Sequence, residues 1–175
     1  MAVKMETAAK NDNKVKVRVV AFITSILVPM LVGVFSAFLT AEDMKIYETM
    51  EQPPLSPPGW LFPIVWTILY AVMGVASYIV CASDADVNQK RRAMGVYVAQ
   101  LLMNMFWSTL FFTYERYLLS LIWLLVMWVQ ILICTVRFFR IQRAAGYMMA
   151  GVLAWTTFAA YLNIAIYAMS ITPAV

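Results

Sequence analysis

The sequence contains no histidine among its 175 residues, and charged residues make up only 13% of it. The chain therefore lacks the side chain that most often serves as a general base or a metal ligand. Soluble domains contain about 25% charged residues, whereas this chain is 63% hydrophobic and has a mean hydropathy of +0.78. Such a composition predicts one domain and an integral membrane protein.

Cysteine is also scarce, and the residue patterns of several catalytic sites are missing. Cys81 and Cys134 are too far apart for a CxxC motif, so we expect two free thiols and no metal site. No glycine-rich phosphate-binding loop is found, which excludes ATP as an energy source. Serine and cysteine have no histidine or intramembrane lysine to activate them, so no nucleophile–base pair is predicted.

Five apolar runs are long enough to cross a bilayer core as helices. They cover residues 19–40, 61–80, 94–113, 117–136 and 147–169. The first run could also be a signal peptide, but the apolar core of a signal peptide has only about 7–15 residues, which favours a retained span. The sequence thus predicts an all-α integral membrane bundle of five transmembrane helices over 19–170. A disordered basic tail, 1–18, precedes it, and a short tail, 171–175, follows.

The basic residues indicate the orientation of the bundle. With the amino terminus inside, the inner segments hold five, three and three Lys or Arg residues, and the outer segments hold only Lys45 and Arg116. This asymmetry predicts a cytoplasmic amino terminus and an outer carboxyl terminus, and it suggests a bacterial plasma membrane. Orientation and anionic membrane lipid account for the net charge of +4, so no nucleic-acid partner is expected.

Amides and aromatic residues recur at helical spacing inside three of the predicted spans. Residues three or four apart share one helix face, which gives three stripes: Trp66, Tyr70, Met73 and Ser77; Gln100, Asn104, Trp107 and Phe111; and Trp155, Ala159 and Asn163. In lipid these amides must face protein or ligand. One interpretation is hydrogen bonding and packing between helices. The other is an aromatic pocket with a few amides that orient a ligand, in which flat conjugated molecules would stack on indole rings.

Small residues also recur at intervals of four, which allows helices to approach closely. They are Gly95 and Ala99 in the third span, and Gly146, Ala150 and Ala154 in the fifth. Packing within one chain and homodimer formation are both open alternatives for these residues.

Three stretches carry a resemblance to a known family. A proline-rich loop runs without a break into an apolar helix at 53–78, which includes PPGWLFPIVWTILYAVMGVASY at 57–78. AQLLMNMFWSTLFF follows at 99–112, and AWTTFAAYLN at 154–163. Together they resemble the signature stretches of the TspO family of tryptophan-rich sensory proteins, or translocator proteins, in the same order. The similarity covers about 19–170.

The resemblance implies a five-helix bundle, often dimeric, whose pocket is closed by the first loop and binds porphyrins or isoquinoline-carboxamide drugs. The pocket residues that it implies are Tyr47, Pro57, Trp66, Tyr70, Asn104, Trp107, Phe111, Trp155, Phe158 and Ala159. Asn163 is added because it lies on the stripe of the fifth span. Ile164 and Ala168 occupy the positions of the sterol-recognition pattern of animal members, so sterol binding is not expected.

Three functions follow from this interpretation. The favoured one is a receptor or carrier that binds tetrapyrroles, such as protoporphyrin IX and haem-like molecules, with a regulatory role in stress or porphyrin homeostasis. It requires no cofactor beyond the porphyrin as ligand. The first alternative is light-dependent porphyrin degradation, with Trp66 and Trp155 as the catalytic residues. The second alternative is a ligand-sensing scaffold that acts through protein partners.

Overall fold

The computed structural model describes the backbone of residues 2–40 and 52–171 and the side chains of residues 14–40 and 52–171. Helices account for nearly all of it, and no strand occurs in these ranges. In chain order they are α1 (Ala2–Leu39), α2 (Leu61–Ala82), α3 (Val87–Ser108), α4 (Tyr117–Ile141) and α5 (Arg143–Ile171). All five are long and apolar enough to cross a membrane, which confirms the predicted all-α fold with five spans.

The helices extend further than the apolar runs that predicted them. The backbone of the basic tail, expected to be disordered, is helical from Ala2 and continuous with α1. Lys90, Arg91 and Arg92 lie in the first turns of α3, although they were assigned to a loop. Charged residues with long side chains are good helix formers, so an apolar run marks the membrane-facing part of a helix and not its ends.

The start of α3 has a specific cause. The Asp86 side chain accepts hydrogen bonds from the backbone N–H groups of Asn88 at 2.9 Å and Gln89 at 3.2 Å. An aspartate in this position satisfies N–H groups that have no partner within the helix, and it typically stabilises the helix by about 1 kcal/mol. This cap places the helix start seven residues before the predicted boundary at 94.

The five helices pack as a ring. α1 packs against α2, α2 against α5, α5 against α4, α4 against α3, and α3 against α1. The ring has two ends, which are named here by their sequence. The loop end is where α1 finishes and α2 begins, and the basic end is where α2 finishes and α3 begins.

Two glycines show where helices approach closely, and a third marks an open helix face. A Cβ atom added to Gly74 would lie 2.6 Å from Cα of Ile26, so α2 and α1 touch through backbone there. At Gly146, one of the small residues noted in the sequence, an added Cβ would overlap the Phe139 ring of α4. Gly146 therefore serves packing within the chain. Gly95 has nothing within 4 Å, so its face of α3 remains open to lipid or to a second copy.

Directly after α3 the helix continues with a different geometry. Residues Thr109–Thr113 form a π-helical turn, closed by a 3.0 Å hydrogen bond from the N–H of Tyr114 to the carbonyl oxygen of Thr109. A π turn contains one residue more than an α turn and is often found at functional sites. Here it buries two consecutive aromatic side chains, Phe111 and Phe112.

Candidate functional site

A proline-rich segment, 52–60, leads into α2 at the loop end. Pro53 and Pro57 are buried, and the N–H of Ser56 bonds to the carbonyl oxygen of Pro53 at 3.2 Å. The Tyr161 hydroxyl of α5 donates a 2.9 Å hydrogen bond to the carbonyl oxygen of Pro54. The segment is thereby tied to α5, the neighbour of α2 in the ring. Four prolines restrict its backbone, which makes it a stiff connection.

A cavity lies between α1, α2 and α3 near the same end. Its open centre measures about 80 Å³, and about 530 Å³ is free of atoms when its mouth and side gaps are included. Five aromatic residues share its wall with small residues of α1 and a few polar ones. The lining consists of Gly33, Ser36, Ala37, Thr40, Phe62, Pro63, Trp66, Tyr70, Asn104, Trp107, Ser108 and Phe112.

Two of the lining residues carry a buried N–H group that has no partner. The Asn104 side chain accepts a 3.3 Å hydrogen bond from the Tyr70 hydroxyl at Oδ1, while its Nδ2 has no partner. Trp107 is 6% exposed, and its Nε1 has no partner either. Leaving such a donor unpaired costs about 1–3 kcal/mol. Other buried polar atoms also lack partners, but those at Asn104 and Trp107 belong to residues of the cavity wall.

Hydroxyl groups give α1 and α3 a polar contact at the cavity. Ser36 and Ser108 are joined through their hydroxyl oxygens at 2.7 Å, and Ser36 also bonds to the carbonyl oxygen of Met105 at 3.3 Å. The Thr40 hydroxyl donates a hydrogen bond to the carbonyl oxygen of Ser36. Among residues 14–40 and 52–171, no Asp, Glu, Lys or Arg lines the cavity. The polar groups of this described part of the wall are therefore hydroxyls, amides and the indole N–H groups.

A second, much smaller space of about 10 Å³ lies on the α5 side of the first. Phe111, Ala159 and Asn163 line it, and the Asn163 amide donates a 3.0 Å hydrogen bond to the Ser120 hydroxyl of α4. Three aromatic side chains, Phe62, Trp107 and Phe112, line both spaces. We call these three the aromatic partition, because they separate the cavity from the smaller space.

Trp155 and Phe158 lie behind the partition. The Trp155 ring meets Phe62 edge to face at 6.2 Å and Phe158 at 5.6 Å, and its buried Nε1 has no partner. Trp66 packs instead on Tyr70, at 5.7 Å, and lines the cavity. The ring contacts thus place the Trp155 indole against Phe62 and the Trp66 indole against Tyr70, and the catalytic assignment of the two stays a prediction.

The structure brings the predicted site residues together in two groups. Trp66, Tyr70, Asn104 and Trp107 line the cavity, and Phe111, Ala159 and Asn163 line the smaller space. Pro57 is buried in the loop segment, and Tyr47 lies outside the described residues.

Sequence reasoning missed several wall residues. Four of them come from α1 and the residue just past its end: Gly33, Ser36, Ala37 and Thr40. These residues are small or polar and recur at helical spacing in an otherwise bulky apolar run, and this pattern would have identified them. Phe112 was left off the predicted stripe of the third span, although it follows Ser108 by four residues; it is buried beside Phe111 in the π turn. Phe62 precedes the predicted stripe of α2 by one turn.

Similarity to known proteins extends over most of the chain. The profile of the TspO/MBR family matches residues 25–169. The tryptophan-rich protein TspO of Chlorobaculum tepidum is 33% identical over 131 residues, which cover 75% of this chain and 83% of that protein. The protein of the same name from Archaeoglobus fulgidus is 29% identical over 87% of this chain and 98% of its own length. The human translocator protein is 29% identical over 75% of this chain and 79% of its own length.

The profile match includes residues 25–39 of α1, all of α2, α3 and α4, nearly all of α5, and every described residue of the cavity. Together with the five membrane-spanning helices, this similarity identifies an integral membrane protein, and the chain belongs to the TspO/MBR family.

Proposed function

We propose that this protein is a membrane receptor or carrier that binds tetrapyrroles and related flat hydrophobic molecules in the cavity at the loop end. The observation that carries the proposal is the combination of aromatic walls with the unpaired N–H groups of Asn104 and Trp107. Ligand pockets are generally apolar, with a small number of polar groups that fix orientation. Relatives named translocator protein and tryptophan-rich sensory protein are consistent with this role.

The unpaired donors define the polar part of the ligand. Both are neutral N–H groups, so they fit a carbonyl or carboxylate oxygen and not a cation. Pairing each with an acceptor removes a penalty of about 1–3 kcal/mol that the empty site bears. Tyr70 supports this arrangement, because its hydroxyl occupies the amide oxygen of Asn104 and leaves the amide nitrogen free.

The open centre of about 80 Å³ is smaller than the ~300–1,000 Å³ that drug-sized ligands occupy. Binding therefore requires the walls to separate. The aromatic partition is the natural moving part, since displacement of Phe62, Trp107 or Phe112 would join the two spaces. A joined pocket would bring Phe111, Ala159 and Asn163 to the same ligand as Trp66 and Asn104.

Titration of protoporphyrin IX into the purified protein tests the proposal. Saturable binding is followed by the porphyrin absorbance band and by quenching of tryptophan fluorescence. Asn104→Leu keeps the side-chain size but removes the donor, so we expect about tenfold weaker binding, which corresponds to one lost hydrogen bond. Gln130→Leu is the matched control, because this half-buried amide of α4 does not line the cavity.

Two results would contradict the proposal. The first is the absence of saturable binding to the wild-type protein. The second is an equal loss of affinity in Asn104→Leu and Gln130→Leu, which would mean that the porphyrin sits elsewhere on the apolar surface. A neutral isoquinoline carboxamide, tested in parallel, separates recognition of a carbonyl oxygen from recognition of carboxylates.

A further inference from the structure

A second pocket opens on the surface at the basic end of the bundle. It measures about 270 Å³ and is lined by Gln89 and Arg92 of α3 and by Arg137, Arg140 and Ile141 of α4. It lies at the opposite end of α3 from Asn104 and Trp107. The pocket is therefore separate from the ligand cavity and does not depend on the function proposed for that cavity.

The pocket is strongly positive. Three of its five lining residues are arginines, and none is an Asp or Glu. The nearest acidic residue in sequence, Asp86, already accepts two backbone N–H groups as the cap of α3. Three guanidinium groups around one pocket repel each other, and a bound anion would convert this repulsion into attraction. Guanidinium groups also match phosphate oxygens with paired N–H donors.

One of the three arginines is held in place by the protein. Arg137 is half-buried, and its Nη1 donates a hydrogen bond to the carbonyl oxygen of Arg92. This contact fixes one guanidinium between the two helices. Arg92 and Arg140 are exposed on either side of it, free to close on a ligand. The pocket thus combines one fixed guanidinium with two exposed arginine side chains that can change conformation. It lies where the helices leave the apolar part of the bundle.

The surface beside the pocket indicates what kind of anion it takes. On α4, Val129, Ile133 and Val136 are exposed and lie at steps of four and three residues, followed by Arg140 four residues later. This spacing places an apolar strip on the face that ends at the pocket. On α3, the face of Arg92 continues through exposed Gly95 and half-buried Ala99, three and seven residues later. A soluble anion would use the arginines alone, whereas a phospholipid would use the arginines and these apolar faces.

We infer that this pocket binds the phosphate headgroup of an anionic phospholipid, whose acyl chains lie along the exposed faces of α3 and α4. Basic pockets between transmembrane helices on the cytoplasmic side are known to bind such headgroups. The basic end is the end that the charge asymmetry assigns to the cytoplasm. The lipid would clamp α3 to α4 at their ends, where Arg137 already links them.

Native mass spectrometry of the detergent-solubilised protein, titrated with phosphatidylglycerol, tests this inference. The pocket variant is Arg92→Gln with Arg140→Gln, two exposed positions whose change should leave the fold intact. The control variant is Arg91→Gln with Arg143→Gln, which removes the same charge from neighbouring exposed positions that do not line the pocket. Each arginine near a membrane surface contributes about fivefold in affinity, so we expect about 25-fold weaker lipid binding in the pocket variant.

The control variant should lose less than about threefold, because more distant charges are screened by salt. Zwitterionic phosphatidylcholine should bind the wild-type protein weakly and should not distinguish the variants. Equal losses in the two variants would assign the effect to diffuse charge and overturn the inference, as would unchanged binding in the pocket variant. Displacement of the lipid by equimolar inorganic phosphate would also overturn it, since the site would then be one for a soluble anion.

Discussion

The half of the bundle near the basic end is more tightly packed than the half near the loop end. In the first half the exposed fraction is 0% for Phe138, Met149 and Val80. In the second half it is 6% for Trp107 and 7% for Phe112. The first group fills the space between helices completely. The second group surrounds a cavity and contains N–H groups without partners. One half of the ring therefore works as a packed scaffold, and the other half has retained space and unpaired donors that a ligand can use.

The two halves also differ in how α1 takes part. Only 11% of the apolar stretch of α1 is buried, compared with 33–44% for the other helices. Near the loop end α1 supplies glycine, alanine and hydroxyl side chains to the cavity wall instead of bulky ones. Helices in membranes associate through close packing of such small residues. Because so little of α1 is buried, α1 is the helix of the ring that can move at the least cost.

The largest expected effect comes from truncation of the scaffold. Phe138→Ala should destabilise the bundle by ~3–5 kcal/mol, because it leaves a void in a filled core. Phe112→Ala borders existing space and should cost about half as much, since the neighbouring side chains lose fewer contacts. Resistance to unfolding in mixed detergents, measured for both variants, gives the comparison. Equal losses would mean that the two halves are packed alike.

Phe112→Ala also removes one member of the aromatic partition. If the partition must move for a ligand to enter, this variant should bind protoporphyrin IX several-fold faster than the wild-type protein, while Phe138→Ala should leave the rate of association unchanged. Stopped-flow fluorescence quenching measures both rates. An association rate that stays the same in Phe112→Ala would indicate that the partition does not control entry.

The next effect concerns the contact between α1 and α2. Gly74→Ala would place a Cβ 2.6 Å from the backbone of Ile26, and the resulting displacement should cost about 1–3 kcal/mol. Gly151→Ala is the control, because nothing lies within 4 Å of its added methyl group, and alanine favours a helix by ~1 kcal/mol over glycine. Thermal denaturation in detergent should therefore change in opposite directions. A stable Gly74→Ala protein would show that α1 is not packed on α2 at this point.

A substitution on the α1 wall separates the cavity from the scaffold. Gly33→Ala would add a Cβ that overlaps the Tyr70 ring, so the ring must shift, and the 3.3 Å hydrogen bond from the Tyr70 hydroxyl to Asn104 must lengthen or break. We expect about tenfold weaker porphyrin binding, which corresponds to the loss of one oriented hydrogen bond, with little change in denaturation temperature. Unchanged affinity would remove Tyr70 and Asn104 from the recognition of the ligand.

The smallest effect should come from the tether of the loop segment. Tyr161→Phe removes the hydrogen bond to Pro54, a contact of about 1 kcal/mol at an exposed site. Ligand association and dissociation should both become up to about fivefold faster while the affinity changes little, because a tether that is present with and without ligand alters rates more than equilibrium. Tyr147→Phe, at an exposed position near the start of α5, is the control. Identical kinetics in both variants would mean that the loop segment does not limit access.

Much of this architecture could be predicted from the sequence, for reasons that are physical. The length of the apolar runs predicted five spans, and helical spacing brought Trp66, Tyr70, Asn104 and Trp107 to one cavity. The predicted stripe of the third span left out Phe112, which is buried beside Phe111 in the π turn. Helical spacing also gives no account of the distance between helices, so the pairing of Trp155 with Trp66 rested on the family resemblance and stays a prediction; Phe62 contacts the first and lines the cavity with the second.

The basic end illustrates another limit of sequence reasoning. The arginines were interpreted only as a signal of orientation, because they were placed in loops. In the structure they lie in the end turns of helices, where Arg137 bonds to the backbone of α3 and shares a pocket with Arg92 and Arg140. The number of basic residues in each connecting segment predicts which side of the membrane that segment faces. Which of these residues share a pocket depends on where the helices end.

The most direct test of the account is the ligand's protection of an introduced thiol in the cavity. Ser108→Cys places a thiol on the cavity wall, and the native Cys81, exposed near the basic end, provides a control in the same molecule. Peptide-resolved maleimide labelling with saturating protoporphyrin IX should be slowed at least about tenfold at position 108 and unchanged at Cys81, since only a ligand in the cavity excludes the reagent there. Labelling at position 108 that proceeds at the same rate with and without the porphyrin would contradict the account.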